Sequence, residues 1–330
     1  MKLKIALIIG FTLLLGLNDN NTSAQTNFEV PNESIKIGIS MWVEGKEFND
    51  NVEGFKETLE EYGFIEGLTV KYFEKNANGD KTKSSEIIQE FIDNDVHLIF
   101  SQTTTGTLIA KQMTQEIPIV FSIVTYPVKA NIIESFDSSG NNLVGTSNYI
   151  PVEKQIDLIY DISNSKQIGY LHHQGEINSE IQFEQMKQYS HTKGINLLKI
   201  PLSNLDEAET TIKQALPEID VLYNACDTLI QNTGEEISIK IGLETKTPVF
   251  SCNKEGILSG ALAGNVADFK LLGSLAGLKA VIILHGGNPS DIRSEIQRGD
   301  HIFVNTETSK ILGIKIPEHV ENIIYQELDN

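Results

Sequence analysis

The chain repeats one structural plan twice, and this repetition constrains its fold more than any other feature. From about residue 35 to 149, short apolar runs alternate with amphipathic stretches of helical period, and from about residue 166 to 265 the alternation returns. Parallel strands need long crossover connections, usually helices, so this alternation indicates parallel βαβ units. We therefore predict an α/β fold of two doubly wound parallel-sheet lobes, with a hinge and a cleft between them.

The composition describes a soluble globular protein with a strongly acidic surface. The 330 residues suffice for two domains of ordinary size, and the formal net charge is −19. An acidic surface repels phosphate groups. We therefore expect no nucleic-acid partner and no binding to an anionic membrane surface.

The N-terminus has the order of a secretory signal: positive charge, an apolar run, then small residues. Two lysines precede the apolar run Ile5–Leu17, and residues 22–24 offer a cleavage point. The run has 13 residues, fewer than the ~20 that a spanning helix needs. We predict that residues 1–24 are a signal peptide and that the mature chain is exported to an extracellular or periplasmic location without entering the membrane. An uncleaved segment would instead keep the protein at the membrane.

The sequence contains two cysteines, Cys226 and Cys252. One pair is not a disulfide framework, and without a C-x-x-C motif we expect no zinc site built on cysteines. Each cysteine follows a short apolar strand, and neighbouring strands lie about 4.8 Å apart. We predict that the two cysteines lie close together near the cleft, at a separation that permits a disulfide.

Sequence motifs of enzymes are absent. The chain contains no G-x-x-x-x-G-K-[ST], no G-x-G-x-x-G and no G-x-S-x-G motif. The histidine pair His172-His173 lies on a predicted strand, where adjacent side chains point to opposite faces, which argues against joint metal binding. We therefore predict no catalytic residue, no metal and no cofactor. The alternative of an exported hydrolase lacks its nucleophile elbow.

Polar side chains gather at the ends of the apolar runs, where open α/β sheets bind their ligands. The loop Ser101–Gly106 places hydroxyls ahead of a helix, and N–H groups at a helix start bind carboxylate or phosphate. Two acids follow other strands, Glu176 and Asp227, and the alternative role of each is a helix cap. The remaining strand-end residues suited to a small solute are Trp42, Thr125, Tyr126, Ser147, Asn148, Asn178, Thr228 and Asn253.

Seven short stretches follow one another in a characteristic order. They are Glu53-Gly54-Phe55-Lys56, Asn76-Ala77-Asn78-Gly79-Asp80, Ile117-Pro118-Ile119-Val120-Phe121, Gly145-Thr146-Ser147, Gly175-Glu176-Ile177-Asn178-Ser179, Gly260-Ala261-Leu262-Ala263 and Leu312-Gly313-Ile314-Lys315-Ile316-Pro317. In order and spacing they resemble the substrate-binding proteins of ABC transporters, in the group that includes the tryptophan/tyrosine-type binding proteins. The resemblance covers about Ile35 to Pro317 and implies the type I periplasmic binding protein fold.

The resemblance also implies cleft positions where the motifs align. They are Met41, Trp42, Glu44, Thr103, Thr104 and Ser147 in the first lobe, Asn148 at the boundary, and Glu176, Asn178 and Asp227 in the second lobe. Tyr126 is a departure, because the family often has Asp at this position before Pro127. An acid there would hold a ligand ammonium, so the resemblance does not carry the aromatic amino-acid ligand over to this chain.

The residues and the resemblance together predict an exported solute-binding protein. It would capture a small molecule, amino-acid-like or another small polar or aromatic solute, and deliver it to the permease of an ABC importer. The ligand would favour the closed form by contacting both lobes. The alternative is an extracytoplasmic sensor that reports the ligand to a membrane receptor. We expect the first lobe to comprise residues 34–147 and 267–304, and the second residues 148–266 and 305–330.

Overall fold

The computed structural model of the protein describes residues 34–297, 301–321 and 324–328. The predicted signal peptide, residues 1–24, lies outside the described residues, as do the last two residues of the second predicted lobe. Within the described ranges, no helix is long and apolar enough to cross a membrane.

Strands and helices alternate along the described ranges. The strands are β1 (Ile35–Met41), β2 (Val70–Asn76), β3 (Leu98–Gln102), β4 (Ile119–Ser122), β5 (Leu143–Ser147), β6 (Gln167–His173), β7 (Asn196–Leu202), β8 (Val221–Asn224), β9 (Val249–Phe250), β10 (Ala263–Val266), β11 (Glu295–Ile296), β12 (His301–Asn305) and β13 (Ile324–Leu328). The helices are α1 (Lys46–Glu61), α2 (Lys81–Asp93), α3 (Thr104–Met113), α4 (Val152–Ser163), α5 (Ile177–Thr192), α6 (Ala208–Ala215), α7 (Glu235–Thr245), α8 (Lys254–Leu258), α9 (Phe269–Leu284), α10 (Thr306–Leu312) and α11 (Glu318–Glu321). A π-helical turn, Ile230–Gly234, leads directly into α7.

The strands of the first sheet all pair in parallel, in the order β11-β5-β4-β3-β1-β2. Successive side chains of a strand point to opposite faces, so each face buries its own core. On one face, Leu98 and Phe100 of β3 pack with α1 and α9, and the rings of Phe55 and Phe100 stack with centroids 4.1 Å apart. On the other face, Ile99 packs with residues of α2 and α3.

The second sheet has the order β13-β12-β10-β9-β8-β6-β7. Tyr170 of β6 packs on the face covered by α4 and α5, and its neighbour Leu171 packs on the face covered by α6, α7 and α8. All neighbouring strands of the second sheet pair in parallel, except that β12 is antiparallel to β10. Two mostly parallel sheets, each covered by helices on both faces, confirm the predicted α/β fold of two doubly wound lobes.

The chain returns to the second lobe earlier than the sequence predicts. The predicted boundary places residues 301–304 in the first lobe, but β12 pairs with β10, with Val304 opposite Ala263. Ile302 and Val304 are buried in the core of the second lobe. The preceding strand β11 still pairs with β5 of the first sheet. The crossing therefore lies before His301, because ladder hydrogen bonds hold β12 in the second sheet.

Helices α1 and α9 approach each other closely, which holds the returning segment in the first lobe. A Cβ atom at Gly54 would lie 2.2 Å from the carbonyl oxygen of Lys270, and one at Gly273 would lie 1.9 Å from that of Asn51. Only glycine permits these approaches. The side-chain amide of Asn51 also donates to the carbonyl oxygen of Phe269 at 2.7 Å.

Candidate functional site

A small cavity lies between the two lobes, where the loops that follow their strands meet. Its volume is about 10 Å³, close to the space that one water molecule needs. Six lining residues precede the second sheet in the sequence: Phe48, Thr103, Thr104, Ile123, Thr125 and Asn148. The other five belong to the second lobe: Glu176, Asn178, Cys226, Thr228 and Gln231. Both lobes therefore form the wall of one site.

The first-lobe wall is built around the start of helix α3. The N–H of Thr103 donates to the carbonyl oxygen of Ser122 at 3.0 Å, and its hydroxyl accepts the N–H of Gly106 at 3.4 Å. Thr104 begins the 10-residue helix and lines the cavity. A helix start carries partial positive charge and free N–H groups, so this wall suits the carboxylate of a ligand.

Two residues of this wall have unusual backbone conformations. Thr103 has φ 66° and ψ 163°, a region that is almost exclusive to glycine. Ile123, which follows β4, has φ 58°, which is rare for a β-branched residue. Behind them, the hydroxyl of Ser147 donates to the carbonyl oxygen of Thr125 at 3.0 Å. The surrounding structure therefore holds both residues in strained conformations at the cavity.

Among the cavity-lining residues, Glu176 supplies the carboxylate of the second-lobe wall. The hydroxyl of Thr228 donates to this carboxylate, and Nδ1 of His173 lies 3.3 Å from it. The hydrogen bond to Glu176 raises the pKa of His173. Asn178 also lines the cavity, and its side-chain amide donates to the carbonyl oxygen of Cys226 at 2.7 Å. A carboxylate beside hydroxyl and amide groups suits the ammonium group of a ligand.

Asp227 lies behind this wall. Its carboxylate accepts the N–H of His173 at 2.7 Å and the N–H of Ile230 at 3.0 Å, and the residue is 1% exposed. Burial, followed by the charge of Glu176, raises the pKa of Asp227. The bond from Ile230 matches the helix cap that is the alternative role of Asp227. A direct contact between Asp227 and a ligand stays a prediction.

Two buried acceptor atoms near the cavity have no hydrogen-bond partner within the described chain, Oδ1 of Asn148 and Oε1 of Gln102. Asn148 lines the cavity, and Gln102 precedes Thr103 and donates through Nε2 to the carbonyl oxygen of Phe48 at 2.8 Å. An unpaired buried acceptor costs about 1–3 kcal/mol. A ligand donor that reaches Asn148 would remove this cost.

The structure brings about half of the predicted site residues together. Those on the cavity wall are Thr103, Thr104, Thr125, Asn148, Glu176, Asn178 and Thr228. Ser147 is buried and supports Thr125 from behind, as described above. Tyr126 is also buried, and its ring packs edge-to-face on Tyr149 with centroids 5.6 Å apart.

The structure does not place Met41, Trp42, Glu44 or Asn253 on this wall. Glu44 is exposed and lines a separate surface groove together with Met41, because the loop after β1 turns toward β2. Trp42 is buried in the core beside α2. Asn253 accepts the N–H of Gly256 at 2.6 Å and so caps α8. Contact of these four residues with a ligand stays a prediction.

Three lining residues escaped the sequence analysis: Phe48, Ile123 and Gln231. Phe48 lies in the first turn of α1, which starts at Lys46. Gln231 lies in the π-helical turn before α7, for which the sequence contains no signal. Ile123 directly follows β4, and this strand-end position is a sequence signal for a place in the site. Its apolar side chain, however, does not indicate a polar site.

Cys226 and Cys252 form a disulfide, with their Cα atoms 5.8 Å apart. They follow β8 and β9, which are neighbours in the second sheet. Cys226 lines the cavity, and Nε2 of Gln182 lies 3.4 Å from its Sγ. The disulfide therefore links the loop after β8, which lines the cavity, to the segment that follows β9.

The sequence matches a family model described as ABC transporter substrate binding protein over residues 36–326. The chain belongs to this family. A tyrosine-binding protein of Clostridioides difficile (strain R20291) is 30% identical over 333 residues, covering 100% of this substrate-binding protein and 96% of that relative. A domain from Streptococcus pneumonia, solved in complex with L-Trp, is 25% identical, with a TM-score of 0.86 over 90% of this chain and 100% of that one.

A second solved relative gives information on the arrangement of the lobes. The ligand-free, open structure of a substrate-binding protein with adhesive properties from Clostridium difficile is 30% identical and covers 89% of this chain and 99% of that one, yet its TM-score is 0.69. The L-Trp complex is less similar in sequence but superposes better. As a whole, this substrate-binding protein therefore superposes better on the tryptophan complex than on the open relative.

Proposed function

We propose that this protein captures an amino-acid-like zwitterion in the interlobe cavity and delivers it to the permease of an ABC importer. The observation that carries the proposal is the distribution of charge across the cavity. The start of α3 and two threonines lie on one wall, and the carboxylate of Glu176 lies on the other. A ligand carboxylate and ammonium would then each contact a different lobe.

Binding at both walls explains how capture is coupled to closure. A ligand shifts the lobes toward the closed form only by its stronger contacts in that form. The cavity is too small for an amino acid as it stands. The lobes would have to separate to admit the ligand and then close around it. The permease would then read the closed form, and the N-terminal segment would direct the protein out of the cytoplasm.

The relatives suggest which solutes to test first. One is a tyrosine-binding protein and another was solved with L-Trp. Thermal unfolding should be measured with each of the common amino acids, with nucleosides as the contrasting class. A ligand at 100 times its Kd raises the free energy of unfolding by roughly 2.7 kcal/mol.

Two variants test whether the solute occupies this cavity. Glu176→Gln removes a charge-assisted contact worth roughly 1.5–3 kcal/mol, so affinity should fall by about one to two decades in calorimetry. Glu184→Gln, an exposed change on α5, is the matched control and should bind normally. Stabilisation by no amino acid, or full affinity in Glu176→Gln, would overturn the proposal.

A further inference from the structure

A second pocket lies at the edge of the cleft, between the first turn of α1 and the helices α7 and α8. Its volume is about 220 Å³. Helix α1 packs on the first sheet, whereas α7 and α8 pack on the second. The lining residues are Gly45, Lys46, Glu47, Phe48, Gln231, Glu235, Glu236, Glu255, Gly256 and Ser259.

Glu47 joins the two lobes across this pocket. Its Oε1 accepts the backbone N–H of Lys254 at 3.1 Å, a contact between residues 207 positions apart. Nearby, Nζ of Lys46 lies 3.6 Å from the carboxylate of Glu255. Both contacts run from α1 to the start of α8, so both form only when the lobes are closed.

Glu235 provides a fixed carboxylate on the second-lobe side. It is 4% exposed, and it accepts the side-chain amides of Asn253 at 2.6 Å and Asn224 at 3.3 Å. A Cβ atom at Gly256 would lie 2.4 Å from its carboxylate oxygens, which shows how tightly this group packs against α8. Burial raises the pKa of Glu235 to about 7.

The charged groups around Glu47 are mostly acidic. Glu235 of α7 and Glu255 of α8 face it, and Glu236 lines the same pocket. Two cations lie nearby, and Lys46 lies 3.6 Å from Glu255. Lys46 pairs with Asp50 at 2.7 Å, and Nζ of Lys254 lies over the ring of Phe303, 5.3 Å from its centroid. Closure therefore brings Glu47 into a cluster of carboxylates, and no cation of the described residues forms an ion pair with Glu47 itself.

We propose that closure of the lobes takes up a proton at Glu47, so that mildly acidic conditions favour the closed, ligand-holding form. The inference rests on the proposed function, since closure is the step that retains the solute. It adds a regulating residue outside the cavity that holds the solute.

The expected pH range follows from the environment of Glu47 in the two forms. In the closed form, burial and then the charges of Glu235 and Glu255 raise the pKa of Glu47 to about 8. In an open form these groups separate, and the pKa returns toward the ordinary value of about 4.3. The closed form thus binds the proton more tightly. Its population should rise as pH falls between these two values, by up to about tenfold per pH unit.

The test measures lobe closure without a ligand. Small-angle X-ray scattering of the mature protein between pH 5.5 and 9 should show a radius of gyration that increases with pH. Glu47→Gln keeps an acceptor for the N–H of Lys254 but does not titrate, so its radius should be independent of pH. Glu61→Gln, an exposed change in the last turn of the same helix, should retain the wild-type pH dependence.

A second measurement uses L-tyrosine as the probe. Calorimetry at pH 7 in two buffers of different ionisation enthalpy should show proton uptake on binding in wild type and none in Glu47→Gln. Failure of L-tyrosine to bind would count against the proposed ligand class and leave the scattering result to decide on Glu47. A radius that does not change with pH in wild type, or an unchanged pH dependence in Glu47→Gln, would overturn the inference.

Discussion

The backbone N–H of His173 donates to the carboxylate of Asp227 at 2.7 Å, although 54 positions separate the two residues. The bond joins the ends of β6 and β8, which are neighbours in the second sheet. The other carboxylate oxygen accepts the N–H of Ile230 and caps the following helix. Both oxygens of Asp227 are thus used to hold the loop from which Thr228 reaches the cavity.

Replacing Asp227 by Asn should therefore lower stability. Asparagine keeps one acceptor and turns an amide donor toward the other N–H, so the free energy of unfolding should fall by about 1–3 kcal/mol in urea denaturation. Glu184→Gln should leave it unchanged. Normal stability combined with tenfold weaker binding of L-tyrosine would instead identify Asp227 as a ligand contact.

The disulfide between Cys226 and Cys252 should contribute to stability. The two residues are 26 positions apart, and closing a loop of this size restricts the unfolded chain by about 3 kcal/mol. Changing both cysteines to serine should lower Tm, and reductant should lower the Tm of wild type but not of this variant. Free thiols in the exported protein, detected by alkylation and mass spectrometry, would contradict the bond.

His172 should make the fold less stable in mild acid. It is fully buried, and burial lowers its pKa, although Glu180 lies 3.8 Å from Nδ1. The unfolded chain then binds the proton more tightly, so stability is lost as pH falls below about 6.5. His172→Asn does not titrate. Its difference in unfolding free energy between pH 8 and pH 5.5 should shift in favour of the acidic condition relative to wild type, and an identical difference would exclude this role.

The contact between α1 and α9 should tolerate no added methyl group. Gly273→Ala places a Cβ atom 1.9 Å from the carbonyl oxygen of Asn51, so the helices must move apart at a cost of about 1–3 kcal/mol or more. Gly106→Ala is the matched change in α3, where the nearest atom is 3.7 Å away. It should be neutral or stabilising by about 0.5–1 kcal/mol. Equal Tm changes in the two variants would show that the contact is less close than described.

The fold was predictable because hydrophobic period reports directly on sheets covered by helices. Strand β1 begins at Ile35, where the alternating pattern begins, and α1 follows it with one buried apolar face. The pattern carries no information on which sheet a strand joins, however. Ile302, Phe303 and Val304 form a continuous apolar run, as in any fully buried strand, and only the ladder to β10 assigns β12 to the second lobe.

The site was predictable to the extent that it consists of strand ends. Thr103 and Asn148 follow strands of the first sheet and reach the cavity. Phe48 and Gln231 come from helical turns that reach it through the packing of one lobe on the other, which sequence pattern does not encode. From the sequence, Asp227 is either a ligand contact or a helix cap. The bond that it accepts from the N–H of His173 leaves no signal in a sequence, because every non-proline residue carries a backbone donor.

The backbone conformations of Thr103 and Ile123 limit how this protein can change its ligand. Each costs about 1–3 kcal/mol, a large share of the roughly 5–15 kcal/mol that keeps a typical domain folded. Further destabilising substitutions in the pocket would therefore act on a protein whose free energy of unfolding is already lowered by these two conformations. Glycine at either position would restore stability but surrender a side chain of the wall. Compensating changes in the cores far from the cavity should therefore accompany any shift to a new solute.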